Sequence, residues 1–157
     1  MKKVFSIHNT SAATDIALII ARFGIAALML THGIPKLIML FSGAPVQFPP
    51  IMGMSAELSL GLAAFAEVVC SILIFAGFAT RFAVIPPMIT MLVAILFIHA
   101  ADPIGIKESA LHYLLVYVVL LFAGSGKYSV DYLLNRKSET NKNNKVNVRE
   151  ANLAMEQ

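Results

Sequence analysis

Arg22 and Glu67 are ionisable side chains set inside long apolar runs, and that placement is the strongest chemical signal in the sequence. A charge near the middle of a bilayer costs at least ~2.5–3.5 kcal/mol on insertion scales, so each of the two needs a partner or a use. Arg22 falls about two turns into the first run and Glu67 halfway along the second. Two readings stand side by side. Either Arg22 and Glu67 form a buried ion pair that locks neighbouring helices, or Glu67 carries protons in a site. A further polar group collects at the opposite ends of the runs. His32 and Lys36 close the first, His99 and Asp102 close the third, and Glu108 and His112 open the fourth. Helical spacing puts Glu108 and His112 on one face, and sets Arg22, Met29, His32 and Lys36 near one stripe.

If these faces turn inward, imidazoles, an ammonium and carboxylates converge on one cavity. Imidazole passes protons near neutral pH and ligates metals. His32, His99 and His112 could between them hold a metal or haem iron, but no HxH or HxxxH spacing occurs, so no metal site is assigned. A hydrophobic quinone suits the set better. It dissolves in the bilayer and needs donors for its carbonyls and an acid or base for its protons. Glu67, His99 and Arg22 are the expected catalytic group, and His32, Lys36, Glu108 and His112 the expected quinone-binding group.

The elements that must position these residues are transmembrane helices. Of 157 residues, 58% are hydrophobic and only 13% charged, too apolar for a soluble domain of this size to bury. Four stretches have the length and composition of spans: 16–41, 56–78, 82–101 and 108–123. Pro and Gly mark the breaks, in Gly43 to Pro50, Gly77 to Arg81, Asp102 to Gly105 and Gly124 to Gly126. Pro35 predicts a kink or break late in the first span. Pro86 and Pro87 sit in the first turns of the third, where proline is tolerated. Short connections predict an all-α, up-down-up-down four-helix bundle. Small residues on the second span, Gly61, Ala63, Ala64, Ala66, Cys70 and Ser71, read as helix packing. Tyr113 and Tyr117 share a face and either line the cavity or anchor the helix. Cys70 is the only cysteine, so no intrachain disulfide forms.

Charge sets the expected orientation. Lys2, Lys3, Arg81, Lys127, Arg136, Lys137, Lys142, Lys145 and Arg149 fall on one side of such a bundle, against Lys36 and Lys107 on the other. The positive-inside rule then puts both termini in the cytoplasm. The basic tail reads as a contact with anionic lipid and not with nucleic acid. The chain divides into a polar segment 1–15, a membrane domain 16–134 and a polar tail 135–157, in which Val148 to Met155 has the pattern of a short helix.

Together these residues resemble the DoxX family of bacterial membrane proteins. The resemblance lies in Arg22, His32-Gly33 followed by Lys36, Glu67, Gly77-Phe78-Ala79-Thr80-Arg81, His99, Glu108, and the closing Gly124-Ser125-Gly126-Lys127-Tyr128-Ser129-Val130-Asp131. It implies a four-helix membrane fold and a link to redox chemistry, since some relatives are described as subunits of thiosulfate:quinone oxidoreductase. His112 and Lys107 carry no part of the resemblance. The leading expectation is a quinone-linked redox subunit or its membrane anchor. A small transporter or channel, and a scaffold for a soluble redox partner, are the alternatives, and a homo-oligomer fits any of them.

Overall fold

The structure, a computed structural model, describes residues 12–137. The segments before Ala12 and after Lys137, including most of the expected end segments and the expected short helix at Val148 to Met155, lie outside the described residues. The described chain is helical, and four helices are long and apolar enough to cross a membrane. They are α1 (Ala12–Phe41), α2 (Ala56–Ala76), α3 (Thr80–Ile98) and α4 (Ile104–Ala123), and a further helix, α5, spans 130–137.

Their outer faces carry large bare hydrocarbon groups. Ile20, Phe41, Phe82 and Phe122 are each at least 66% exposed. Water would not tolerate apolar surface on that scale, whereas lipid is the solvent it suits. The apolar core lies among the four helices toward one end of the bundle and reaches the cavity at Met29. Leu18, Ile25, Met29, Ile74, Val84, Tyr117 and Leu120 form the core there. Arg22 and the 77–80 turn belong to this same end, since a Cβ on Gly77 would strike the Arg22 guanidinium. At the other end α1 and α2 remain in contact at Gly33, and a cavity opens among the helices.

α1 and α2 pair in opposite directions: Arg22 lies against Gly77, while Gly33 lies against the backbone of Glu67. Gly33 has no room for a side chain, because a Cβ would come within 2.9 Å of Glu67 and 2.8 Å of Val68 Cγ2. Glycine here allows the two helices to approach closely. Of the kink or break expected at Pro35, a break does not occur, and α1 runs through it as one continuous helix. Proline removes only one ladder bond, and the same turn is held to α2 by Gly33 on one side and by Lys36 on the other.

The helix ends have local causes. Ser55 caps α2 by accepting from Leu58 N at 3.2 Å. Gly77 ends α2 with φ +69, and Phe78 N donates back to Leu73 O at 3.0 Å. Both α2 and α3 contain one π-helical turn, at Phe65–Val69 and Ala94–Ile98. In each, the closing amide reaches back five residues: Cys70 N to Phe65 O and His99 N to Ala94 O. Such wide turns insert one residue and rotate the helix beyond them, and they recur at functional sites.

The segment after α4 folds back onto the close-packed end. Arg22 Nη2 donates to Tyr128 O. Asp131 accepts from Ala79 N at 2.7 Å and Thr80 N at 3.2 Å, capping α3. Asp131 N in turn donates to Gly77 O at 3.0 Å. Asp15, at 2% exposure, accepts from Lys127 N at 3.1 Å and pairs with the Lys127 ammonium at 3.3 Å.

Candidate functional site in the open end of the bundle

At this end the helices border a partly open cavity of about 630 Å³. Its walls come from α1, α2, α3 and α4, and the 42–55 loop roofs it with Phe48, Ile51, Met52 and Met54. The loop is tied to α2 by Ile51 N donating to Ser59 Oγ at 3.1 Å. Both π-helical turns face this space: Phe65, Ala66 and Glu67 from one, Ala94 and Ile98 with the adjoining His99 from the other. The widened turn is what carries Glu67 on the cavity side, backed directly by Gly33.

The centre of the site is an ion pair. Lys36 Nζ donates to both carboxylate oxygens of Glu67. Glu67 is 1% exposed, while the Lys36 side chain is 28% exposed. Burying a carboxylate is tolerable when an ammonium neutralises it, and a two-oxygen contact satisfies it well. The remaining polar wall is sparse. His32 and His99 stand on it, His99 Nδ1 lies 2.7 Å from Asp102 Oδ2, and Tyr113 meets the His32 ring edge-on with centroids 5.8 Å apart. Behind Tyr113, the fully buried Tyr117 stacks at 6.4 Å. Most other wall residues are apolar, with Met29, Met52, Met54 and Met91 among them. Thioether side chains adapt their shape to what they contact.

Four of the seven expected site residues therefore come together: Glu67, Lys36, His32 and His99. Three do not. Arg22 is 1% exposed in the close-packed end, bonded to Tyr128 O, and the expected Arg22–Glu67 pair is not formed. The reason is the offset between helices. Arg22 is level with Gly77, the very end of α2, so about ten residues, roughly 15 Å at 1.5 Å per residue, separate it from Glu67. Glu108 and His112 share a face as expected, but that face is exposed on the outside of α4, and the cavity is lined instead by Ser109, Ala110 and Tyr113. A three-imidazole centre does not assemble, since His112 turns away from His32 and His99, and among the described residues no group of three His, Cys, Asp or Glu side chains is placed to hold a metal.

Sequence reasoning missed the pairing of Lys36 with Glu67, although both residues were in view. It left Tyr113 undecided between cavity and interface, and did not single out Asp15 or Asp131. The signal for Asp131 was present in the closing Gly-rich stretch. A carboxylate after a tight turn is a common way to cap a neighbouring helix.

The DoxX family model matches residues 17–100. That stretch is more than half of the chain and carries every wall residue named above except those of α4. The comparisons with curated proteins and with solved structures give no match. With its four apolar spans and this match over the first three of them, the chain belongs to the DoxX family.

Proposed function

We propose that this protein is a quinone-binding redox subunit of a bacterial inner membrane, and that the cavity at Lys36 and Glu67 is its quinone site. The observation that carries the reading is a buried, neutralised Lys36–Glu67 pair on the wall of an otherwise apolar cavity within a membrane bundle. A quinone head needs donors at its carbonyl oxygens and a proton source nearby, in walls apolar enough to receive its ring. Lys36 supplies donors, Glu67 accepts and returns a proton, and His32 and Tyr113 offer further donors. Asp102 occupies Nδ1 of His99 and so leaves Nε2 to exchange protons. When bound, a quinone supplies two-electron, two-proton chemistry, with electrons delivered by a partner protein's redox group.

Arg81, Lys127, Arg136 and Lys137 cluster at the Arg22 end, which supports placing that end in the cytoplasm. The test is organic extraction of the purified protein followed by mass spectrometry. The expected result is a near-stoichiometric quinone that is lost in Glu67→Gln. A preparation free of quinone that also takes none up from doped vesicles would contradict the proposal.

A further inference from the structure

Two of the four spans carry a lipid-facing stripe that runs into the cavity wall. On α2 the exposed residues Leu58, Leu62, Phe65, Val69 and Ile72 recur at three- and four-residue spacing, and on α3 Ile85, Ile89, Leu92 and Leu96 do the same. Leu62, Phe65 and Ile89 belong to both sets, being about half exposed and also part of the cavity wall. The α1 stripe (Leu28, Ile34, Ile38) contributes nothing to that wall, and among the exposed apolar residues of α4 only Ile106, near its start, reaches it, while Leu111, Leu115 and Val119 do not.

Helix contacts divide in the same way. α2 lies on α1 along its whole length, and it meets α3 chiefly at the wide turn and at the 77–80 turn. Above the wide turn, α2 and α3 are separated by the cavity. On the loop side, the roof is held to α2 by the Ile51–Ser59 bond.

We infer that the cavity is filled sideways from the bilayer, through a portal between Leu62 and Phe65 of α2 and Ile89 of α3. Such a route fixes the ligand class: a membrane-dissolved amphiphile whose polar head reaches Lys36 and Glu67 while its hydrocarbon chain lies in the portal. This rests on the quinone reading of the cavity and adds that the portal residues discriminate by chain. A water-soluble head without a chain has no use for the portal walls.

The full-length protein is reconstituted in lipid nanodiscs and titrated with two benzoquinones of the same head, one bearing a long isoprenoid chain and one bearing only methyl groups. Ile89→Trp, or Leu62→Trp from the opposite wall, fills the portal. Both sites already face lipid, where indole is tolerated. The long-chain quinone should lose about tenfold more affinity than the head-only quinone. The chain contains no tryptophan, so the introduced indole also reports position. Its emission at residue 89 should be quenched saturably by the long-chain quinone, while Leu115→Trp on the remote α4 stripe should show only linear, partition-driven quenching. Unchanged long-chain binding, or equal weakening of both quinones, would overturn the portal while leaving the quinone site standing. Failure of the wild type to bind either quinone would sink the site reading and the portal with it.

Discussion

Lys36 and Glu67 hold each other at the cavity wall, and removing one charge strands the other in a low-dielectric setting. Lys36→Met should therefore destabilise the protein by about 3 kcal/mol, the lower end for breaking a buried pair, because Lys36 is partly exposed. Adding Glu67→Gln should restore much of that loss. Thermal unfolding in detergent measures both, and strictly additive losses would show that the two side chains are not coupled. At this scale the sequence was legible in residue type and not in partnership. Glu67, His32, Lys36 and His99 stood out because polar groups are rare in apolar runs. Which cation faces Glu67 depends on how far α1 overhangs α2, and hydropathy does not record that offset.

The helices themselves set the second scale. Gly33 and Gly24 both lie within α1, yet only Gly33 meets a neighbour, while a Cβ on Gly24 would find nothing within 4 Å. Gly33→Val should push α1 from α2 and cost about 1–3 kcal/mol, the usual range for overpacking. Gly24→Ala should be neutral or stabilise by about 0.5–1 kcal/mol, since alanine loses less backbone freedom in a helix. Equal effects at the two sites, read from unfolding midpoints, would contradict the close approach of α1 to Glu67. The spans were readable from length and apolarity, and their breaks from glycine and proline. The two π-helical turns were not, because one inserted residue leaves the hydropathy pattern nearly unchanged. At Pro35 the sequence left a kink or a break open, and it is not a break: the local cost of proline is fixed by chemistry, but tertiary contacts on either side hold the helix together.

Across the whole molecule, one end is latched and the other is open. Asp131 ties the segment after α4 to the 77–80 turn, and Arg22 and Asp15 tie it to α1. Asp131→Ala removes an acceptor shared by two backbone amides and should cost about 0.5–2 kcal/mol, as for loss of a helix cap. Trypsin should then cut faster at Arg136 and Lys137, with quinone binding unaffected, because the latch lies far from the cavity. Slower binding in Asp131→Ala would mean that the two ends are coupled. The membrane-helical class was legible from composition together with the length of the apolar runs. The division of labour between ends was not, because Arg22 and Glu67 look alike in sequence: each is a charge in an apolar run. One proves to be wired to backbone carbonyl and loop, and the other to a cavity.

Photoaffinity labelling with an azido-benzoquinone in native-like vesicles tests the cavity most directly. Labelled peptides should map to the cavity-facing stretches around 62–67 and 89–94, fade when unmodified quinone competes, and disappear in Glu67→Gln. Label scattered over the lipid-facing stripes of all four helices, indifferent to competitor and to Glu67, would contradict a quinone site at the Lys36–Glu67 pair.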